Sequence, residues 1–209
     1  MSSLQPLQSQ TLTNTAETFE YLLNQRRRHP KRSVEIDACI RQVFAQTHAV
    51  WILDSAGFSR QTRDQGIVPA LLNIYQMREL AAPLIAASGG TLFKAEADNL
   101  YALFPSVDTA VIAAWAVIHR LNRSDIGVSI GIGFGEVLVV GDTDVFGHQM
   151  NLASKLGEDL AEHNQVLMTE AAFSHLSPQR LDTDFVVTSV SSAIAGLNLN
   201  LYQVNLLTH

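Results

Sequence analysis

Residues 50–58, Val-Trp-Ile-Leu-Asp-Ser-Ala-Gly-Phe, constrain this chain more than any other stretch. Four consecutive apolar residues rich in β-formers predict a strand covered on both faces. Asp54 stands at the strand's exit, followed by the small-small-glycine bend Ser55-Ala56-Gly57 and then by Phe58, which can plug back into the core. Glycine lets the backbone turn tightly and leaves N–H groups uncovered, which suits a phosphate. A carboxylate beside such a turn is a natural place for a divalent cation that carries phosphate oxygens. The same residues also fit a plain strand that ends at a surface aspartate.

Such a strand needs a core around it, and the 209 residues, 47% hydrophobic and 16% charged, are enough for one domain and a tail. The net charge of −6 argues against nonspecific binding to nucleic acid or an anionic membrane. A single cysteine, Cys39, excludes an internal disulfide framework. No run reaches the length of a membrane span and no apolar signal core is present, so a cytoplasmic location is expected. Seven histidines without helical ligand spacing, and no CxxC, give no reason to expect zinc.

Residues 1–33 read as a flexible polar and basic tail, disordered over 1–14, with a short helix capped by Thr15 over 15–24 and a solvated basic run over 26–32. The folded domain is expected over 34–209. Apolar residues at Ile36, Cys39, Ile40, Val43 and Phe44 predict a helix over 34–49 leading into the opening strand. A polar loop to Gln65 precedes a long helix over 66–88, with Val68, Leu71, Leu72 and Tyr75 as its buried stripe and Pro83 as a kink. Strands over 91–94 and 100–104 flank an acidic turn at 95–99. A helix over 108–121 with Asp108 as N-cap follows, then a hairpin of 126–134 and 136–141 around Gly135. A helix over 147–163, a strand over 166–169, a short helix over 170–176 and closing strands over 185–190 and 199–206 complete the chain. The order is that of an α+β, ferredoxin-like βαββαβ sandwich with an extra βαβ unit and C-terminal strands.

Three constellations can carry chemistry. Asp54 and Asp98 lie at the ends of neighbouring elements, where two carboxylates can hold two Mg²⁺ or Mn²⁺ ions, while Glu96 is expected on the other side of its turn. Asn151 and Lys155, four apart, share one helix face and can hold a ribose and a transferring phosphoryl group, although Lys155 with Asp159 also reads as a surface ion pair. Gly131-Ile132-Gly133-Phe134-Gly135-Glu136 fails as a dinucleotide fingerprint, because it ends in Glu136 and runs into a valine-rich segment rather than a helix.

The segments LDSAGFSR (53–60), GGTLFKAEADNLYALF (89–104), SIGIGFGEVLVV (129–140) and DVFGHQMNLASKL (144–156), in this order and spacing, resemble the class III nucleotidyl cyclase catalytic domain of a divergent bacterial type. The resemblance runs from about Trp51 to Phe173 and weakly to Tyr202. It implies that Asp54 and Asp98 are the metal-binding aspartates. The Ile52–Leu53 backbone and the turn Ser55, Ala56, Gly57 and Phe58 match the segment that holds metal and phosphate. Lys94 and Asp144 match the base-reading pair, and Asn151 matches the asparagine that orients the ribose. A lysine donates to a ring nitrogen of adenine and an aspartate accepts from its amino group, so the pair favours ATP over GTP. The resemblance further implies a head-to-tail homodimer with shared sites.

Two departures stand out. Lys155 occupies the position of a transition-state arginine, which keeps the charge and loses the planar fork. Ala195-Gly196-Leu197 replaces a Lys-Gly-Leu segment. Three readings follow: a slow adenylate cyclase making cyclic AMP and pyrophosphate for signalling; a catalytically weak or inactive nucleotide-binding dimer that regulates a partner; and a different metal-dependent sandwich, such as a diguanylate-cyclase-like or polymerase-palm domain. The third is disfavoured because Gly89-Gly90 is followed by Thr91 and Leu92 rather than an acidic pair.

Overall fold

The computed structural model describes residues 12–55, 57–180, 185–194 and 197–206. Of the disorder expected over 1–14, residues 1–11 lie outside them, as do Ala56 and the Ala195-Gly196 pair, whereas Asn14 is held by hydrogen bonds to Val139 and Gly141. The chain opens with α1 (Ala16–Arg28), α2 (Ser33–Phe44), β1 (Ala45–Ser55), α3 (Phe58–Gln65) and α4 (Ile67–Ala87). It continues with β2 (Thr91–Glu96), β3 (Asn99–Phe104), α5 (Val107–Asn122), β4 (Val128–Val140) and β5 (Asp144–Phe146). Helix α6 (His148–Ser154), a π-helical turn over Lys155–Leu160, β6 (Val166–Thr169), α7 (Glu170–Phe173), β7 (Phe185–Ile194) and β8 (Leu197–Leu206) complete it.

The eight strands make one sheet in the order β2-β3-β1-β4-β6-β8-β7, with β5 paired to β4. The first four strands of that order, β2-β3-β1-β4, have ferredoxin-like order, and β6 is parallel to β4 while β1 pairs antiparallel with β3 and β4. The expectation for residues 50–53 holds: Val50, Trp51, Ile52 and Leu53 are all fully buried, in the middle of the sheet.

Side chains alternate across a strand, so β1 divides its residues between two layers. Trp51 and Leu53 join the main core with Met77, Ala81 and Ile85 of α4 and Val111, Ala114 and Val117 of α5. Val50 and Ile52 face the other way, into a smaller cluster with Leu103, Val137, Val145 and Ala153. The register sets Asp54 opposite Asn99 and Ser129, and Ile52 opposite Tyr101 and Gly131. Asp54 therefore shares the less covered face with Asn99, Tyr101 and Ser129.

Helix α6 and the π turn lie on that face because glycine lets them. A Cβ on Gly131 would stand 2.1 Å from the Ala153 carbonyl and 2.5 Å from the Gly157 nitrogen. On Gly133 it would meet the Gln149 carbonyl at 2.8 Å, and on Gly157 the Ile52 carbonyl at 2.9 Å. Ser129 Oγ donates to the Gly157 carbonyl at 2.8 Å and fastens the contact.

Several expectations are corrected. The hairpin expected over 126–141 around Gly135 is instead one continuous strand, β4 (Val128–Val140), whose hairpin partner is β5; Gly131 and Gly133 within it serve close packing. The α2 helix stops at Phe44, and residues 45–49 are already strand, paired with 134–138. The stretch 58–65, expected as a loop, is helix α3. Ser106, not Asp108, caps α5; Asp108 instead accepts from the Ser177 backbone and hydroxyl. On α4 the buried residues are Ala70, Ile74, Met77, Ala81 and Ile85, whereas Val68, Leu71, Leu72 and Tyr75 are exposed. Both sets are apolar, and the face that meets the main core is the one carrying Met77, Ala81 and Ile85. Helix α1, capped by Thr15, packs on α2 through Leu22, Ile36, Ile40 and Phe44, and Arg26 pairs with Asp37 at 2.7 Å.

The glycine contact sets a testable requirement. Gly131→Ala is expected to destabilise the protein by about 3 kcal/mol, because backbone rather than a flexible side chain must give way. Val34→Ala, at a residue 82% exposed, is expected to change stability by less than about 0.5 kcal/mol. Urea unfolding midpoints of both variants measure the contrast.

Candidate active site

The less covered face of the sheet carries the charged residues the sequence singled out. Asp54 ends β1, and the chain turns at Gly57, whose φ of +94° favours glycine, before Phe58 opens α3. The Arg60 guanidinium lies against this turn. Ser55, Gly57, Arg60, Asp64, Asp125 and His163 are among the residues lining a polar cleft of about 300 Å³ there.

Asp98 sits in the turn between β2 and β3, next to Ala97 in a left-handed conformation with φ of 47°. Arg78 of α4 donates to the Ala97 carbonyl and pins this turn. Burial, then the charges of Asp98, Glu158 and Asp159, push the Asp54 carboxyl up to about 7, against a smaller opposing pull from the Ser55 backbone N–H. Burial also raises Glu158, reinforced by Asp159 and Asp98, while the Tyr101 hydroxyl, 3.4 Å away, pulls down. Asn99 donates to that same hydroxyl at 3.1 Å. The structure thus brings Asp54 and Asp98 into one electrostatic group and adds Glu158 and Asp159.

Lys94 lies opposite Tyr101, and Glu96 opposite Asn99, on the same face. Lys94 Nζ is 2.7 Å from Glu96 Oε2, and the pairing raises the Lys94 pKa, with a lesser contribution from Asp144. The sequence placement of Glu96 beyond the turn is therefore corrected: residues two apart on a strand share a face, and β2 runs through Glu96. Lys94 and Asp144, from β2 and β5, are brought within electrostatic reach of each other.

Asn151 and Lys155 stay in helical relation, since the Lys155 backbone N–H bonds to the Asn151 carbonyl. Both are exposed, and Lys155 Nζ is 3.4 Å from Asp159 Oδ2. The long helix expected over 147–163 is instead α6 followed by the π turn, which closes with the Ala161 N–H on the Leu156 carbonyl at 2.8 Å. That turn carries Glu158 toward Tyr101, and helical spacing alone gave no sign of it. Arg60 was hidden because its stretch read as loop.

Among the described residues, no group of three or more His, Cys, Asp or Glu side chains is gathered as a preformed metal cage. Mg²⁺ is commonly held by one or two carboxylates with water and substrate phosphates completing the shell. The Asp54 and Asp98 pair, all oxygen donors and short of positive charge, fits that kind of site.

No protein-family model matches the chain, and no curated protein matches it in sequence. Solved structures do. The adenylyl cyclase CyaB from P. aeruginosa is 19% identical, with a TM-score of 0.62 over 77% of this chain and 95% of its own. An adenylate/guanylate cyclase/hydrolase from Silicibacter pomeroyi is 22% identical, with a TM-score of 0.64 over 76% and 96%. The guanylate cyclase domain of RhGC from Catenaria anguillulae, solved with GTP, is 16% identical, with a TM-score of 0.64 over 77% and 97%. The chain has the fold of the class III nucleotidyl cyclase catalytic domain.

The raised Asp54 pKa sets a pH dependence. Folded Asp54 holds its proton up to about 7, whereas the unfolded carboxyl releases it near its ordinary value of 3.8. Between those values the native state binds more protons, so stability falls as pH rises. The melting temperature of the metal-free protein is expected to drop from about pH 5 to about pH 8, and Asp54→Asn to flatten that drop. A profile unchanged by the substitution would contradict the placement of Asp54.

Proposed function

We propose that the protein is an adenylate cyclase-like enzyme that converts ATP to 3′,5′-cyclic AMP and pyrophosphate. The observation that supports this reading best is the pairing of opposite chemistries on one sheet face. A desolvated Asp54 and Asp98 stand at one site, and Lys94 with Asp144 at another. Each is half of what a nucleoside triphosphate needs. Both halves are open to solvent in one protomer, so a head-to-tail homodimer joins the acidic pair of one subunit to the base reader of its partner.

In this reading Lys94 donates to a ring nitrogen of adenine and Asp144 accepts from the amino group. Asn151 orients the ribose, and the turn at Ser55–Phe58 presents backbone N–H groups to the triphosphate. The 3′-hydroxyl oxygen forms the new bond to the α-phosphorus as the bond to pyrophosphate breaks. Lys155 offers its charge to the phosphoryl oxygens once a nucleotide draws it from Asp159. Asp54 and Asp98 would hold Mg²⁺ or Mn²⁺, which supplies activation of the hydroxyl and neutralisation of triphosphate charge.

The Lys155–Asp159 ion pair favours one other reading, a nucleotide-binding dimer with little or no turnover that acts through a partner. Assay of the purified dimer with ATP and Mn²⁺ separates the two. Cyclic AMP is expected from the wild type, with Asp54→Asn lowering the rate by about a hundredfold or more. Lys155→Arg is expected to raise it by about tenfold, since the guanidinium bonds phosphate oxygens in pairs. Calorimetric nucleotide binding without product would select the regulatory module.

A further inference from the structure

Glu96 has no role in the adenine-reading scheme, yet it is the group that touches Lys94. The contact is 2.7 Å between Lys94 Nζ and Glu96 Oε2, with the two side chains 41% and 62% exposed. Both lie on the site face, in consecutive cross-strand rows: Ile52–Tyr101–Lys94 and Asp54–Asn99–Glu96. Glu96 is two residues from Lys94 toward the Asp98 turn. Asp144 comes from β5, which pairs with the far end of β4. The Lys94 ammonium is thus in direct contact with Glu96 and, from β5 on the side away from the Asp98 turn, within electrostatic reach of Asp144.

This arrangement has a consequence for which purine can bind. An ammonium has three donors and no acceptor, and a carboxylate at neutral pH only accepts. Glu96, Lys94 and Asp144 therefore present acceptor, donor, acceptor. Adenine offers an acceptor, N1, with its donor, the 6-amino group, on one side. Guanine offers an acceptor, O6, with its donor, N1–H, on the other side. With the base's acceptor seated on Lys94, adenine finds its donor's partner in one carboxylate and guanine in the other. A lysine flanked on one side alone would discriminate strongly, because the wrong base leaves a donor unpaired in the site.

We propose that Glu96 is a base-reading residue that admits guanine, so that the pocket takes GTP as well as ATP. The proposal rests on the reading of Lys94 and Asp144 as base readers. Specificity here is the difference between two carboxylates' contributions: Asp144 favours adenine and Glu96 favours guanine.

The test is calorimetric titration of the dimeric protein with non-hydrolysable ATP and GTP analogues in Mg²⁺. The wild type is expected to bind both within about tenfold of each other. Glu96→Ala should shift the preference toward ATP by about tenfold to a hundredfold, as befits loss of a hydrogen bond to a charged group. Asp144→Ala should shift it toward GTP by a similar factor. Glu96→Gln, which keeps a carbonyl acceptor of the same shape, should recover part of the GTP affinity; a merely structural role for Glu96 would not move the ratio. A wild type that rejects GTP by more than about a thousandfold overturns the proposal, as does a Glu96→Ala variant that weakens both nucleotides alike. Those results leave the adenine reading standing. Indifference of both nucleotides to Lys94→Ala overturns the proposal and the base reading beneath it together.

Discussion

The site depends on three missing side chains. Gly131, Gly133 and Gly157 remove the Cβ atoms that would hold α6 and the π turn away from β4 and β1. With them gone, helix backbone rests directly on strand backbone. Ser129 then completes the contact from beneath by bonding to the Gly157 carbonyl. The height of that helix above the sheet decides where Asn151, Lys155 and Glu158 emerge. Close backbone packing of this kind has discrete solutions, since a helix carbonyl cannot sink further into a strand. The three residues are thereby fixed relative to β1 and Asp54 although all three are solvent-facing. The π turn adds a rotation that an α-helix would not give, a feature often found where side chains must be re-aimed for function.

On this frame the electrostatics are deliberately unbalanced. Asp54 is half-buried and also feels three other carboxylates, and burial first, then their charge, moves its pKa toward neutrality. The cations nearby are occupied with local partners: Lys94 with Glu96, and Lys155 with Asp159. Exposed pairs like these are individually weak, so they restrain the two lysines without locking them. Carboxylates crowded in this way store a cost that a bound divalent cation relieves, and the relief grows as pH rises and the protons leave. The same crowding means that a strongly anionic ligand such as a triphosphate would enter the site only together with cations.

What was legible in the sequence was whatever left a local signature. The four apolar residues at 50–53, the acid at 54 and the glycine at 57 specify a central strand with a tight exit, and the structure has it. The order of elements also followed from periodicity and turn residues. What was hidden depends on contacts between distant segments. Gly135 read as the turn of a hairpin because a sequence does not say that the strand continues through it, nor which helix presses on Gly131 and Gly133. Val68, Leu71, Leu72 and Tyr75 read as a buried stripe because they are apolar, yet the face turned to the core carries Ala70, Ile74, Met77, Ala81 and Ile85; hydrophobicity alone did not choose the face. Glu96 was misplaced for a simpler reason. The strand runs two residues further than its apolar pattern, and alternation then carries Glu96 to the face of Lys94. Glu158 follows from the π turn, which has no sequence signature of its own.

The N-terminal helices belong to the same mechanical unit as β5 and Asp144. The Asn14 side chain donates to the Val139 carbonyl and accepts from the Gly141 N–H, at 2.9 and 2.8 Å. Phe19 of α1 stacks on Phe146 of β5, with ring centroids 5.5 Å apart, and meets Phe44 of α2 edge-on at 5.1 Å. A cavity of about 510 Å³ opens between these helices and β4–β5. Asp144 begins the short strand that Phe146 ends, so the position of its carboxylate is set in part from outside the sheet, by α1. A strand of three residues with a single paired neighbour has little stability of its own. Its register therefore rests on the aromatic stack and the Asn14 bonds, and whatever shifts α1 shifts Asp144 with it. Helix α1 thus bears on the residue proposed to read the base.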